Sequence, residues 1–214
     1  MTSIAGPQRF EISVDGLASL AGGTSYDRRH DALLGTAELA LAVGEICVRR
    51  GVIGTVGRLE IEPGAVDVVP GRAILSLDLR ASDDPSRDAA RAEIMERLDE
   101  VCARRGLMSH VELTHSARSV LTAPHLQEAV RQGIKTAVDG GADLEIWSRA
   151  GHDAMAVAEV TDVGMLFVCC AGGIFHSPLE FVTTADVAVA LDALQASVLA
   201  LAGEMSARAE VAGA

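Results

Sequence analysis

The chain has 214 residues and a formal net charge of −12, from 18 basic and 30 acidic side chains. Hydrophobic residues make up 49% of the chain and charged residues 22%, which excludes an intrinsically disordered protein. The acidic balance repels a phosphate backbone, and only 3% of the residues are aromatic, so the composition argues against nucleic-acid binding.

We expect a cytoplasmic protein without a membrane span. The most apolar long stretch, 182–202, is interrupted by Asp186, Asp192 and Gln195. The N-terminal residues have neither the basic nor the apolar region of a secretory signal. The spacing of the cysteines fits neither a zinc ribbon nor a disulfide framework. We interpret them as reduced, mostly buried thiols: Cys47, Cys102, Cys169 and Cys170.

The first half of the chain begins with a predicted strand and a predicted helix. Phe10, Ile12 and Val14 alternate with polar residues over 9–16, as in a half-buried strand. The spacing of apolar residues then predicts a helix over 28–50, ended by the glycine that follows it. Its apolar stripe is expected to consist of Leu33, Leu34, Ala37, Leu41, Gly44, Cys47 and Val48.

Two further strands, a second helix and a fourth strand follow. The strands are expected at about 55–62, 72–80 and 109–115. The helix begins at Asp84-Pro85 and ends at Gly106, a typical C-cap residue. The order βαββαβ is that of a ferredoxin-like unit, with an antiparallel sheet and both helices on one face.

The remaining sequence predicts an αβαβα unit. Its helices are expected at about 124–139, at 152–159 and from Thr184 to about 203, and its strands at 143–147 and 163–169. Gly140 and Gly141 should end the first of these helices, and Thr184 should cap the last. The second strand is apolar enough to be buried on both faces. The faces of these two strands need partners to cover them. This unit therefore either packs on the ferredoxin-like unit or belongs to a larger sheet.

Two segments rich in functional groups, 148–154 and 171–180, each follow a predicted strand and enter a helix. Such strand-end loops form the ligand crevice in open α/β sheets. His176 is a candidate metal ligand there, with Glu180 as a candidate partner. The residues alone leave a simpler interpretation open, in which His152 caps a helix and His176 bonds to a backbone carbonyl.

Arg80 ends a predicted strand whose polar face also carries Asp78. The forked guanidinium of an arginine at a strand end suits a carboxylate ligand. An ion pair on the sheet face, with Asp78 or Asp67, explains the arginine equally well. The sequence contains no nucleophile elbow, phosphate-binding loop or dinucleotide fingerprint.

Seven segments, taken in order, carry a family resemblance: 4–10, 21–24, 27–32, 64–71, 77–80, Ala150-Gly151-His152-Asp153-Ala154 and His176-Ser177-Pro178-Leu179-Glu180. They resemble the hydantoinase/carbamoylase-type amidohydrolases, which include N-carbamoyl-L-amino-acid hydrolases, allantoate amidohydrolases and β-ureidopropionases. That family belongs with the two-metal aminoacylase and carboxypeptidase-like exopeptidases. The match runs over nearly the whole chain.

The resemblance implies a metal-dependent, exopeptidase-like α/β domain that is interrupted by a ferredoxin-like lid. Residues 8–118 would be the lid, which also forms a homodimer, and residues 119–206 the last part of the catalytic domain. The N-terminal part of that domain has no match here, and a separate polypeptide that supplies it is one possible partner. The complete family enzyme uses a divalent metal, zinc or manganese, and we expect this chain alone to bind none.

The resemblance also assigns roles to particular residues. Arg80 matches the family's arginine for the substrate carboxylate, and Gly151 and His152 match a loop that borders the substrate. Asp67 falls where the family has a substrate-site Asn. His176 matches a metal ligand, and no catalytic residue is assigned to this chain.

The departures from the family pattern leave several hypotheses open. The family's other metal ligands and its general base have no match, and Leu20 falls where a His reaches across the dimer. In the first hypothesis, the chain is part of an amidohydrolase for N-carbamoyl or ureido amino acids and is inactive alone. The substrate of the complete enzyme would be a small molecule that bears a carboxylate. Alternatively, it is a degenerate, non-catalytic relative that serves as a dimerising or binding subunit. A third possibility is a fragment of a full enzyme.

Overall fold

The computed structural model describes residues 1–138 and 144–212, and its backbone falls into two units. The sheet unit consists of Ala5–Ser119 together with Arg149–Gly151. The helical unit consists of Met1–Ile4, Val120–Ser148 and His152–Ala214. The assignment of these units as a lid and as part of a catalytic domain stays a prediction.

The strands and helices have the following bounds. The strands are β1 (Ser3–Ile4), β2 (Gln8–Asp15), β3 (Ser19–Leu20), β4 (Ile53–Glu62), β5 (Val68–Val69), β6 (Arg72–Arg80), β7 (Met108–Ser116) and β8 (Val120–Leu121). The helices are α1 (Ala32–Arg50), α2 (Asp84–Arg105), α3 (Pro124–Ala137), α4 (Ala154–Val157) and α5 (Thr184–Ala212), with 3₁₀ turns at Tyr26–Arg28 and Ala171–Gly173.

Four strands of the sheet unit form one antiparallel sheet in the order β4-β6-β2-β7. In chain order its elements read β2-α1-β4-β6-α2-β7, the βαββαβ connectivity that the sequence pattern predicts. The register sets Ile12 opposite Leu75 on one side and Val111 on the other. The strands β4 and β7 therefore form the two edges of this sheet.

One face of the sheet is apolar and packs against α1 and α2. The predicted inward residues of β2 (Phe10, Ile12 and Val14) are buried, and so are Ala73, Leu75, Leu77 and Leu79 of β6. The helix α2 contributes Ala90, Ile94, Leu98 and Cys102 to the same core. Full burial of one such leucine stabilises the fold by about 1.5–3 kcal/mol.

Capping residues fix the ends of both helices in the sheet unit. Asp31 accepts a bond from the backbone N–H of Leu34 at 3.1 Å at the start of α1, and Asp83 plays the same part for α2. Gly51 and Gly106 end the helices with φ of +67° and +65°, a left-handed conformation that side chains with a Cβ disfavour.

The predicted stripe of α1 is wrong. The residues that the helix buries are Ala32, Gly35, Thr36, Leu39, Ala42, Val43, Ile46 and Cys47. Of the expected stripe Cys47 is buried, whereas Leu34, Leu41 and Val48 are 41%, 71% and 84% exposed. Both faces of α1 are apolar, so periodicity could not tell which face meets the sheet.

A buried arginine joins the two segments by which the chain enters and leaves the sheet unit. Arg87, in the first turn of α2, is 4% exposed. It donates to the carbonyl oxygen of Gly6 at 2.7 Å and to that of Ala117 at 3.0 Å. Its guanidinium also lies 2.8 Å from the carboxylate of Asp84. A buried charge is tolerated where it is paired and hydrogen-bonded in this way.

In the helical unit, α3 packs against α5. A Cβ on Gly133 would lie 2.1 Å from the hydroxyl oxygen of Ser197 and 2.2 Å from the carbonyl oxygen of Ala193, so a glycine is required at this close approach. Ala129, Ala193 and Ser197 are buried in the same contact.

The first strand predicted in this unit, 143–147, is wrong for the residues that the structure describes. Residues 144–147 belong to no strand, and residue 143 lies outside the described residues. Ser148 forms an isolated parallel bridge with Ile4, and its N–H donates to the carbonyl of Ser3 at 2.7 Å. The neighbouring strand β1 has only two residues, which leaves little ladder for a partner to extend.

The second predicted strand, 163–169, is also wrong. These residues form no strand, and Phe167 and Val168 are 39% and 42% exposed instead of buried on both faces. Only Val163 is buried, with its carbonyl oxygen bonded to the N–H of Ala123 at 3.0 Å. An apolar run becomes a strand only beside a partner strand, and apolarity by itself cannot supply one.

The helices of this unit differ from their predicted bounds. The first ends at Ala137, and the glycines expected to stop it lie outside the described residues. The second is a single turn, α4, instead of 152–159. The last is capped by Thr183 and not by Thr184, since the Thr183 hydroxyl accepts from the N–H of Asp186 at 3.0 Å.

The helix α5 presents apolar side chains to solvent. Leu191, Leu194, Val198 and Leu199 are each about half exposed or more. The stretch Thr184–Gly203 is long and apolar enough, by length and composition alone, to cross a membrane, and 11% of its most apolar window is buried. A single such helix is weak evidence for a span, and the cytoplasmic location stays a prediction.

The cysteines are free thiols, as predicted, but their burial is only partly as expected. Cys47 and Cys102 are buried, Cys170 is half-buried and Cys169 is exposed. Burial raises the pKa of the Cys47 and Cys102 thiols, which makes them poor nucleophiles.

Candidate functional site

Arg80 ends β6 and forms the ion pair with Asp78 that the sequence left as one alternative. Its Nε atom lies 2.6 Å from one carboxylate oxygen and its Nη2 atom 3.2 Å from the other, a bidentate arrangement. Arg9, on the neighbouring strand β2, donates to the same carboxylate at 3.0 Å. Two guanidinium groups thus share one carboxylate, and the cluster keeps a net positive charge.

The pairing shifts the ionisation of both partners. Burial alone raises the pKa of Asp78, but the bonds from Arg80 and Arg9 outweigh it and hold that pKa below its ordinary value. The bond to Asp78 raises the pKa of Arg80 in turn. The cluster therefore carries its charges throughout the physiological pH range.

Arg80 is also bonded to the segment 149–151. Its Nη1 atom donates to the carbonyl oxygen of Arg149 at 2.9 Å. Each Nη atom of a guanidinium carries a second N–H, so Arg80 retains donors for a carboxylate ligand beside its bonds to Asp78 and Arg149. Gly151 ends this segment and is exposed. The structure thus bonds Arg80 to the segment that Gly151, another residue selected from the sequence, ends.

His152 does not cap a helix, contrary to the simpler interpretation. The turn α4 begins after Asp153 without a side-chain cap. The Nε2 atom of His152 lies 2.6 Å from the hydroxyl oxygen of Ser148, and its ring packs against that of Phe167 with centroids 6.0 Å apart. Ser148 lies in the segment 148–154 that the sequence analysis singled out, but it was given no role there. A Ser and a His four residues apart in one loop are a usable signal.

His176 is held in a strained backbone conformation. Its φ is +57°, and among the described residues it is the one non-glycine residue with a positive φ. Its backbone N–H donates to a carboxylate oxygen of Glu180 at 2.9 Å, so Glu180 bonds to the backbone of His176 and not to its imidazole. The ring meets that of Phe175 edge-on. Strain of this kind often persists where a side chain is held for a function.

The described residues do not by themselves form a metal site. Among the described side chains of residues 1–138 and 144–203, no group of three or more His, Cys, Asp or Glu residues is placed to hold an ion. A protein zinc site needs three or four ligands, and His176 offers one. The residues present therefore do not fit a complete metal centre.

The two positions that depart from the family pattern lie side by side. The strand β3 pairs with β5, with Leu20 opposite Val68, and the N–H of Ala21 donates to the carbonyl oxygen of Asp67 at 2.8 Å. Leu20 is 61% exposed and Asp67 is also exposed. This pairing spans more than forty residues of sequence, so local patterns could not reveal it.

Beside Arg9 and Asp78, the sheet face opposite α1 and α2 carries a shallow cavity of about 310 Å³. Polar groups of Glu11, Arg58 and Ser76 also line it. Arg58 and Glu11 form a further ion pair there. The opening is thus bordered by both charges, and Arg9 is a residue that the sequence analysis did not select.

Comparison with known families and proteins supports the resemblance seen in the sequence. Residues 11–200 match the model of peptidase family M20/M25/M40. The chain is 33% identical to an allantoate deiminase from Arabidopsis thaliana, covering 87% of this chain and 41% of that protein. It is also 33% identical to an N-carbamoyl-L-amino-acid amidohydrolase from Pseudomonas sp. strain NS671, covering 93% of this chain and 48% of the relative.

Solved structures give the same result. A hydantoinase/carbamoylase family amidase from Burkholderia multivorans superposes with a TM-score of 0.86 at 30% identity, covering 93% of this chain and 48% of that one. An amidohydrolase/peptidase from Burkholderia cenocepacia has a TM-score of 0.88 at 31% identity, with coverage of 93% and 49%. The chain thus has the mixed α/β fold of such amidases and spans about half the length of the relatives it matches.

Proposed function

This chain belongs to peptidase family M20/M25/M40, and we propose that it supplies the substrate-carboxylate side of an amidohydrolase for N-carbamoyl or ureido amino acids. The observation that carries this proposal is the bond between Arg80 and the carbonyl of Arg149. It sets a guanidinium with N–H donors to spare beside the segment that ends at Gly151. A carboxylate and a carbamoyl group are the acceptors that such an arrangement suits.

The described residues act in this proposal by binding and orientation. Arg80 would hold the substrate carboxylate through its second N–H donors, while Asp78 and Arg149 fix the plane of the guanidinium. His152 and Gly151 would border the carbamoyl group, and Asp67 would lie at the edge of the site. Enzymes of this family are generally metal-dependent. His176 would be one ligand, and the others would come from residues outside those described.

A binding experiment tests the carboxylate role directly. N-Carbamoylglycine is titrated into the isolated chain while the side-chain Nε–H signals of the arginines are followed by NMR. We expect Arg80→Met to weaken binding at least about tenfold, equivalent to about 1.4 kcal/mol. The control is Arg72→Met, at the other end of β6, which should leave the affinity unchanged. Equal losses in both variants would contradict the proposal.

We also propose that the chain is inactive alone. The described residues hold one candidate metal ligand. The hydroxyl that they set beside an imidazole, that of Ser148, belongs to a residue that is 4% exposed and is closed to a substrate. Ammonia release from N-carbamoyl amino acids or allantoate, with added zinc or manganese, should not exceed the blank. Turnover that survives gel filtration and is abolished by His176→Ala would contradict this expectation. Metal analysis of the same fractions should find far less than one ion per chain.

The pairing of Leu20 with the segment of Asp67 favours a second candidate, a non-catalytic binding subunit. Leu20 cannot donate a hydrogen bond to a developing oxyanion. The carboxylate of Asp67 places negative charge where a neutral donor would stabilise that oxyanion. If substrate binding is retained but hydrolysis is absent even with the rest of the family's catalytic domain supplied, this candidate holds. Leu20→His with Asp67→Asn in that mixture should then restore turnover.

The apolar surface of α5 supports a partner for the helical unit. Leu191, Leu194 and Leu199 are exposed there, and removing apolar surface from water gains about 25 cal/mol per Å². We propose that the remaining part of the family's catalytic domain covers this surface, as a separate N-terminal polypeptide or as part of a longer chain. Co-expression with such a polypeptide should raise solubility and protect these side chains.

The exposed stripe of α1 and the edge strand β4 support a homodimer through the sheet unit. Leu34, Leu41 and Val48 lie along one side of α1, and β4 offers unpaired backbone groups beside that helix. Sedimentation should show a dimer at micromolar concentration. Leu41→Glu should dissociate it, whereas the control Leu191→Glu on α5 should not. A monomeric parent chain would contradict the proposal.

A further inference from the structure

Ser148 is a buried polar residue of the helical unit whose hydroxyl has a specific contact. The residue is 4% exposed, and its Oγ atom lies 2.6 Å from Nε2 of His152. Its backbone is fixed independently, by the N–H bond to the carbonyl of Ser3 at 2.7 Å and by the parallel bridge with Ile4. The hydroxyl is therefore presented to the imidazole from a rigid position.

The ring of His152 is held on two sides. The Ser148 hydroxyl contacts Nε2, and the ring of Phe167 packs beside the imidazole at 6.0 Å with an interplanar angle of 58°. Within the part of the chain that the structure describes, no bond to Nδ1 is recorded. In a neutral imidazole one nitrogen donates and the other accepts, so a partner that fixes the role of Nε2 also fixes the role of Nδ1.

We propose that Ser148 is a positioning residue that holds His152 in one neutral tautomer, with Nδ1 left to meet the substrate. The proposal rests on the proposed function, in which His152 borders the carbamoyl group. We assign the hydroxyl as the donor to Nε2, which places the proton on Nδ1. An Nδ1–H donor suits the oxygen atoms that a carbamoyl amino acid presents on its carbonyl and carboxylate groups.

A purely structural hydrogen bond within the loop is the simpler explanation, and it predicts different behaviour. The backbone of Ser148 is already anchored without its hydroxyl, and the turn α4 begins without a side-chain cap. Loss of the hydroxyl should therefore leave the fold in place and change the imidazole. A structural role would give the opposite result, a change in the backbone of the loop with the tautomer retained.

The experiment uses the full chain labelled with ¹⁵N-histidine, at a pH above 8 where ordinary imidazoles are neutral. Long-range ¹H–¹⁵N correlation spectra distinguish the two tautomers, and His152→Gln identifies the signals of this ring. We expect one tautomer, protonated on Nδ1, in the parent chain and in Ser148→Thr, which keeps the hydroxyl. In Ser148→Ala the Nε2-protonated form should become at least about half of the population, since nothing then favours Nδ1–H.

The matched control is Ser177→Ala, which removes another hydroxyl of the helical unit, one that accepts from the N–H of Leu179 at 3.2 Å. It should leave the tautomer of His152 unchanged. Backbone amide spectra of all variants report whether the fold is retained. A mixture of tautomers in the parent chain, an Nε2-protonated ring, or a Ser148→Ala spectrum like that of the parent would overturn the assignment.

Titration with N-carbamoylglycine separates this inference from the proposed function. Ligand should shift the Nδ1 signal of His152 in the parent chain and in Ser148→Thr, and shift it less in Ser148→Ala. A single Nδ1-protonated tautomer that does not respond to the ligand, while binding still depends on Arg80, would overturn the placement of His152 at the substrate and this inference with it. Binding that does not depend on Arg80 would overturn the proposed function. A ligand response that is equal in Ser148→Ala and in the parent would overturn the role of Ser148 alone.

Discussion

The two units of the chain differ in how completely they bury their apolar residues. In the sheet unit, two helices cover one face of a four-stranded sheet, and leucines such as Leu75 and Leu79 are wholly buried. In the helical unit, the longest helix exposes Leu194 and Leu199, and the apolar segment 163–169 finds no strand partner. The sheet unit therefore has the features of a domain that folds by itself. The helical unit has an exposed apolar surface of the kind that binds a partner.

The largest expected effect contrasts a buried leucine of the sheet unit with an exposed leucine of the helical unit. Leu79→Ala should lower the free energy of unfolding by about 3 kcal/mol, because it removes buried methyl groups and leaves a cavity. Leu199→Ala should change it by less than about 0.5 kcal/mol and reduce aggregation. Urea unfolding of both variants checks this. A loss of stability in Leu199→Ala as large as that in Leu79→Ala would show that α5 is packed in solution.

A second test uses the buried arginine of the sheet unit. Arg87→Met should cost about 3 kcal/mol, since it leaves the carbonyl oxygens of Gly6 and Ala117 without their donor and the carboxylate of Asp84 unpaired. The matched control is Arg97→Met on the same helix, whose pair with Glu100 is exposed and should contribute less than about 0.5 kcal/mol. Thermal unfolding of the two variants should separate them clearly, and equal melting temperatures would contradict the role given to Arg87.

The sheet unit could be predicted from sequence because its elements are defined by local signals. Alternation fixed the inward face of β2, and Gly106 marked the end of α2. The face of α1 could not be chosen in this way, since Leu34 and Leu41 are as apolar as the buried Leu39. Only packing against the sheet decides between two apolar faces.

For the candidate site, the sequence indicated residues but few of the contacts between them. Arg80, Gly151 and His152 were selected from the residues and the resemblance. The ion pair of Arg80 with Asp78 was one of the alternatives that the sequence left open. The contacts with Arg149 and Ser148 emerged only from the structure. The pairing of Leu20 with the segment of Asp67 joins distant parts of the chain, and no periodic pattern encodes such a contact. The strands expected in the helical unit failed because a strand depends on its neighbour.

A smaller effect is expected from the ion pair of Asp78 with Arg80 and Arg9 on the sheet, and it depends on pH. The folded state lowers the pKa of Asp78 from its ordinary 3.8. Its stabilising contribution is therefore fully present above pH 3.8 and is lost as the pH falls through the folded-state pKa. Asp78→Asn should cost about 1–2 kcal/mol at pH 7 and nothing once the parent carboxylate is protonated.

Urea unfolding at several pH values between 2 and 7 measures how the stabilities of the parent and of Asp78→Asn converge. This pH range brackets the ordinary carboxylate pKa of roughly 4. The control is Glu60→Gln, whose pair with Arg58 on the same sheet is exposed and contributes less than about 0.5 kcal/mol at any pH. A stability gap between the parent and Asp78→Asn that stays constant down to the lowest pH would contradict the ionised pairing.

The smallest expected effect concerns the helical unit, where two nearby residues share a left-handed backbone. Gly173 has a φ of +67°, with no other atom within 4 Å of the position that a Cβ would take, and His176 has a φ of +57°. Gly173→Ala should therefore lower the free energy of unfolding by about 1 kcal/mol through backbone strain alone. His176→Gly should raise it by a smaller amount, since it relieves the strain but adds flexibility to the unfolded chain. Chemical unfolding of both variants checks the signs. A loss of stability in His176→Gly would mean that contacts of the imidazole stabilise the fold by more than the backbone strain destabilises it. A gain would mean that the histidine does not stabilise the fold, which favours a binding role for its side chain.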